Sequence, residues 1–218
     1  MLKQHPRNIF PNNPQTAMEN EIFTFIARYM TLSDEEKQAI VDLSVFRSYP
    51  KGALLLKQGE HSEESYFVLK GCLRSYYIIA GEERTTALYT ESESFAPACT
   101  VTKTPSEHFV ACVEDSLILI STPALEKAMF EKCPRFETLC RILSEELLAK
   151  QQVAFDTFKY LSPEERYVHL LETRPDLVQR VPLQYLASFL GIKPESLSRI
   201  RKRVTLKVPS SSSAALLN

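Results

Sequence analysis

Tryptophan is absent, and glycine is scarce, with five residues in 218. The five cysteines, Cys72, Cys99, Cys112, Cys133 and Cys140, are an odd set with wide gaps and no CxxC pair. That spacing fits neither a zinc site nor a secreted disulfide framework nor an iron–sulfur cluster, so they are expected to be reduced, mostly buried thiols of a cytoplasmic protein. No apolar run approaches the roughly 18 residues of a membrane span. Residues 1–20 are polar, hold three prolines and lack the apolar centre of a signal peptide. They are expected to form a flexible N-terminal arm, with neither export nor a membrane partner. Charge of one sign is also lacking: 26 basic residues face 27 acidic ones. This excludes a uniformly basic coat for nucleic acid and an acidic disordered chain. The signatures of catalysis are missing as well. His5, His61, His108 and His169 are scattered, and no HExxH, GxSxG, P-loop or GxGxxG occurs. Glu63–Glu64 and Glu82–Glu83 are expected to be solvated loop charges and not an acid–base pair. No enzyme, no catalytic residue and no metal site are predicted.

What is present divides the chain by texture. Four of the five glycines, Gly52, Gly59, Gly71 and Gly81, fall within thirty residues. Among and after them lie short runs of β-formers: Ala53–Leu56, Tyr66–Leu69, Cys72–Ile79, Thr85–Tyr89, Phe109–Val113 and Leu117–Ile120. Short strands at that spacing, separated by turn residues, predict an antiparallel barrel or roll. Helices flank it. Ser33 with Glu36 three residues later predicts a capped helix start, with Ile40, Val41 and Leu43 on its apolar side. From Arg135 to about Lys159 there is neither glycine nor proline, and Phe136, Leu139, Leu143 and Leu147 recur at spacings of three and four. One long amphipathic helix follows. Such a stripe can pair with its own copy or pack on the roll, and Lys150, Gln151 and Gln152 interrupt it as a heptad seam. A further helix is predicted from Ser162 and Pro163 to near Pro175.

Charge is concentrated at the far end. From Lys193 onward six basic residues, Lys193, Arg199, Arg201, Lys202, Arg203 and Lys207, accompany one acidic residue, Glu195. A positive end on an otherwise acidic chain can recruit a polyanion while the remainder repels it. The segment 183–202, LQYLASFLGIKPESLSRIRK, meets the physical needs of two helices crossing through a tight turn. Ala187 gives the small side chain at the crossing, and Gly191 the residue that tolerates positive φ. Leu186, Leu190, Ile192, Leu197 and Ile200 give the facing apolar surfaces, and Pro194 opens the second helix. The outward positions of that helix, Glu195, Ser196, Ser198, Arg199, Lys202 and Arg203, are polar or charged. Such a helix suits the major groove of duplex DNA. Arg199 can donate a forked pair to guanine and Glu195 can accept from cytosine N4, so both are candidate base readers. Lys193, Ser196, Arg201, Lys202 and Arg203 are candidate phosphate contacts, which position without specifying.

The run Lys51-Gly52, Leu55-Leu56, Gly59-Glu60 and Tyr66–Gly71 resembles the cyclic-nucleotide-binding roll of the Crp/Fnr family of bacterial transcription regulators. Pro105-Ser106-Glu107 and Val113–Ser116 look like its later strands, and the resemblance extends over about residues 20 to 204. It implies an α+β chain: an N-terminal antiparallel β-roll (a cupin-like double-stranded roll) with flanking helices, a long dimerisation helix and a C-terminal helix-turn-helix domain. The expected boundaries are an arm over 1–20, a roll-shaped sensor domain over 21–132, the dimer helix over 133–160, the helix-turn-helix domain over 161–208 and a flexible tail over 209–218. The resemblance further implies a cytoplasmic homodimer on double-stranded DNA, acting with RNA polymerase, and places Glu195 and Arg199 at base-touching positions, with Pro194 replacing a third.

Two departures from the family bear on function. Relatives that bind cyclic AMP carry a Gly-Glu pair and then an Arg-Ser or Arg-Thr; here Ala96-Pro97 and Pro105-Ser106 stand in those places. A carboxylate for the ribose and a forked cation for the phosphate are both gone. Tight binding of cyclic AMP is therefore not expected, no cofactor is assigned, and any other effector and its ligand-binding residues stay unnamed. The family's β-hairpin wing is also not legible after the recognition helix. Residues 204–218 hold four consecutive serines and no glycine turn, and they are expected to be flexible. The alternative reading is a ligand-sensing or interaction module with weak or no DNA binding.

Overall fold

The computed structural model describes residues 14–207. The described residues form two compact units, one comprising those up to Ser75 together with Leu88–Ala149, the other Tyr76–Ala87 together with the described residues from Lys150 on.

The strands are β1 (Val45–Tyr49), β2 (Leu54–Leu56), β3 (Ser65–Lys70), β4 (Leu73–Ile79), β5 (Glu82–Tyr89), β6 (Ser94–Phe95), β7 (Phe109–Cys112) and β8 (Ser116–Ser121); all lie in the first unit except the hairpin segment Tyr76–Ala87 of β4 and β5, which belongs to the second. They form two four-stranded sheets, ordered β1-β8-β3-β6 and β2-β7-β4-β5. The pairs β1/β8, β3/β8, β3/β6 and β2/β7 are antiparallel, and Tyr66 lies opposite both Ile120 and Phe95. Alternation explains the layers. Tyr66 and Val68 on β3, with Ile118 and Ile120 on β8, point into the core shared with Leu56, Leu73, Val110 and Cys112. Their neighbours Phe67, Leu69, Leu117 and Leu119 point the other way, into a second core lined by helices. Because β8 is covered on both faces, it reads as an almost unbroken apolar run. Gly71 makes the turn from β3 to β4 at φ +104°, and a Cβ there would stand 2.7 Å from Ser116 Cα and 2.8 Å from the Asp115 carbonyl oxygen. Only glycine fits such a place.

The second core takes Ile22, Phe25 and Ile26 from α1 (Pro14–Ile26), Ala39 and Ile40 from α2 (Asp34–Leu43), and Phe136 and Leu139 from α5 (Arg135–Tyr160). The predicted cap of α2 is present as a full capping box between Ser33 and Glu36. The short α3 (Ala98–Thr102) follows β6, and α4 (Pro123–Lys132) begins on a Thr122 cap with proline in its first turn. The arm expected over 1–20 is helical from Pro14 onward, and the rest of it lies outside the described residues.

The stripe on α5 has a divided fate. Phe136 and Leu139 are buried in the unit's own helical core and Leu143 packs beside them. These three positions follow the packing alternative, while Leu147, the fourth of the stripe, is half-buried and lies outside that core. The exposed apolar side chains of α5 are a different set, Leu148, Val153, Phe155, Phe158 and Tyr160.

The second unit holds the end of α5, α6 (Pro163–Thr173), α7 (Pro175–Arg180), α8 (Leu183–Phe189) and α9 (Pro194–Lys207). Ser162 caps α6 in a capping box with Glu165, whose carboxyl is held below its ordinary range by those bonds to Ser162. The apolar faces meet through Tyr167, Leu170, Leu177, Leu186, Leu190, Leu197 and Ile200, all buried. The α9 helix carries residues 204–207, expected as part of a flexible segment, and residues 208–218 lie outside the described residues.

Candidate nucleic-acid interface

The turn between α8 and α9 is closed by two backbone hydrogen bonds. Ile192 N donates to Ala187 O and Gly191 N to Ser188 O, each at 3.0 Å. This is the Schellman arrangement, which needs a left-handed residue at its centre. Gly191 supplies it at φ +72°. Ala187 is fully buried at the crossing, as are Leu186 and Leu197. Every position that the sequence assigned to the bend is therefore in its expected role.

The outward face of α9 follows from helical geometry. Leu197 and Ile200 are buried, so the opposite side belongs to positions 195, 199 and 202, spaced by four and three. Glu195, Arg199 and Lys202 are all exposed there. Arg199 Nη2 reaches back to Ser196 Oγ at 3.4 Å, a contact within one turn that leaves the guanidinium on the surface. Lys193 is exposed just ahead of Pro194, and its carbonyl accepts from Ser196 N and Leu197 N, as an N-cap does.

The remaining basic residues point elsewhere. Arg203 Nη2 pairs with Glu164 Oε2 on α6 at 3.0 Å. Burial pushes the Tyr167 phenol up, and the nearby Arg201 works against that shift. Of the five predicted phosphate contacts, Arg203 is thus engaged within its own unit. No spacing rule in the sequence links residue 164 to α9.

Two further groups border the bend. Arg166 lays its guanidinium over the Phe158 ring, 4.1 Å from the centroid, a cation–π contact. Its Nε and Nη1 are buried without hydrogen-bond partners. The hairpin of β4 and β5 also meets α8: Thr85 N donates to Ser188 Oγ at 2.9 Å, and Ser188 Oγ donates to Glu83 O at 3.2 Å. Both contacts escaped the sequence reading, because neither residue type nor spacing announces them.

In the roll, Phe95 stacks on Tyr89 with ring centroids 3.8 Å apart. Ala96-Pro97 leads into α3. Ser106 is 3% exposed, and its hydroxyl donates to His108 O at 2.8 Å. Its peptide is bonded to residues 59 and 60. Burial, aided by the charge of Asp115, pushes the Cys112 thiol up to about 12, against the opposing effect of Ser116. That thiol stays protonated and unreactive. Among the described residues no group of three or more His, Cys, Asp or Glu could hold a metal ion, and no helix is long and apolar enough to cross a membrane.

Residues 46–132 match the family model "Cyclic nucleotide-binding domain". No curated protein matches the sequence. Solved structures do. A mutant of CooA from Carboxydothermus hydrogenoformans aligns with a TM-score of 0.63 at 16% identity, covering 85% of this chain and 84% of that one. CLP, the c-di-GMP-responsive global regulator of Xanthomonas campestris, aligns at 0.62 and 15% identity over 80% and 93%. FixK2 of Bradyrhizobium japonicum aligns at 0.59 and 19% identity over 75% and 85%. At such identities the likeness is one of fold. Residues 46–132 thus resemble a cyclic nucleotide-binding domain, carried in a chain that shares the fold of CooA, CLP and FixK2.

Proposed function

We propose that this chain is a sequence-specific DNA-binding transcription regulator. The observation that carries the reading is the α9 face. Glu195, Arg199 and Lys202 stand outward on a helix fixed by the buried Ala187 crossing and the Gly191 turn. Arg199 reads guanine through a forked pair, Glu195 accepts from cytosine, and Lys193, Ser196 and Lys202 meet phosphates. The exposed apolar side chains of α5 support a homodimer. Its two recognition helices then lie about 34–36 Å apart and read a palindrome. The dimer works in the cytoplasm, with RNA polymerase as its partner on the DNA.

The roll does not take cyclic AMP in this reading. Pro105 stands where the relatives place a forked cation, and its side chain can donate no hydrogen bond to a phosphate. A buried phosphate without a charge partner is costly. Titration calorimetry with cyclic AMP is expected to give no heat, and micromolar affinity would overturn this part. The reading as a whole is tested by selecting bound sequences from random duplex DNA, with and without cell extract. Recovery of a palindromic site supports it, and recovery of no sequence preference under either condition defeats it.

A further inference from the structure

We propose that α6 is a built-in rival for the DNA backbone: Glu164 holds Arg203 away from phosphate, and so limits binding that ignores sequence. This rests on the DNA-reading assignment above. Glu164 offers Arg203 a carboxylate at 3.0 Å, and a guanidinium donates to a carboxylate and to a phosphate with the same forked geometry. The side chain of Arg203 is 60% exposed and that of Glu164 only 27%. The cation is therefore the accessible partner, and it is the one a phosphate would have to win from the carboxylate.

The charge pattern makes the effect selective. Arg199 and Lys202 lie on the outward face, while Arg203 is drawn toward α6. A basic residue in contact with phosphate adds affinity on every sequence and releases counterions. Holding one of the five cationic side chains of α9 (Arg199, Arg201, Lys202, Arg203 and Lys207) to an internal partner lowers that general term and leaves the base-reading arginine in play. Glu164 is thus a positioning residue for specificity and does not itself touch bases.

The test uses the full chain in four forms: wild type, Glu164→Gln, Arg203→Ala and the double variant. Affinity for a random-sequence duplex is measured over a salt series. Glu164→Gln is expected to tighten binding and to steepen the slope of log affinity against log salt by about 0.9 per recognition helix, one added phosphate contact. In the Arg203→Ala background the same substitution is expected to change neither quantity. An unchanged slope overturns the proposal, and so does an equal change in both backgrounds, which would be a general charge effect. A heparin column reads the rivalry without any duplex: Glu164→Gln should elute at higher salt than wild type only while Arg203 is present, and equal elution overturns the proposal. A wild type that binds no duplex defeats the DNA reading instead, and the heparin comparison then decides the role of Glu164.

Discussion

Phe158 closes over Gly191. A side-chain carbon built on Gly191 would lie 3.1 Å from Phe158 Cζ and 3.3 Å from Arg166 Nη1. The bend is therefore held in two ways, by a backbone conformation and by a ring stacked beneath a guanidinium. Gly191→Ala should cost about 1–2 kcal/mol from the left-handed backbone alone. Thermal unfolding should show the second unit losing stability and DNA affinity together. Adding Phe158→Ala should relieve the contact and leave the backbone strain, so only part of the loss should return.

Arg199 and Lys202 share a face of α9 but should fail differently. Arg199→Ala should erase roughly 1–3 kcal/mol of preference between a selected site and its guanine-substituted variant. Lys202→Ala should weaken binding on all sequences and flatten the salt slope by about 0.9 per helix. Competition binding on paired duplexes, repeated over salt, separates the two. Equal losses on all sequences for Arg199→Ala would remove its base-reading role.

The two halves of α5 should answer to different measurements. Leu139 is 4% exposed within the first unit, and Leu139→Ala should cost about 2–5 kcal/mol of stability. Phe155 is 59% exposed, so Phe155→Glu should leave the melting temperature of the isolated chain nearly unchanged. It should instead shift sedimentation from dimer to monomer and remove the advantage of a palindrome over a half-site. A Phe155→Glu protein that remains dimeric would move the seam elsewhere.

His108 gives a pH dependence of definite sign. Burial lowers its pKa from 6.5, with Glu107 opposing. The unfolded chain therefore binds the proton more readily than the folded one. The stability contribution is complete above about pH 6.5 and is lost as pH falls through the lower folded value. Denaturant melts over that range should show declining stability, and His108→Gln should flatten the decline.

Periodicity and turn chemistry made much of this architecture legible. The capping boxes at Ser33 and Ser162 and the bend around Gly191 stand where short-range rules put them, because each is a local arrangement of a few residues. Strand β1 was not legible: Val45–Tyr49 includes an arginine and a serine, and it becomes a strand by pairing with β8. The two-residue β6 depends likewise on β3. For α4, the Thr122-Pro123 start was a readable signal. The α5 stripe shows the limit from the other side. Spacing reveals that a face is apolar but not which surface will cover it, and Phe136 and Leu139 are covered by their own unit. The engagement of Arg203 was invisible for the same reason, since its partner Glu164 belongs to another helix.

The junction between the β4–β5 hairpin and α8 is lopsided in its chemistry. On the hairpin side the groups are the Thr85 amide and the Glu83 carbonyl, which almost any amino acid would present, and on the α8 side one hydroxyl, Ser188, serves both. Relatives could therefore diverge freely at 83 and 85 and keep the joint, whereas a change at 188 to a residue without a hydroxyl would undo it. Its evolutionary trace would be a single column, with no covarying mate.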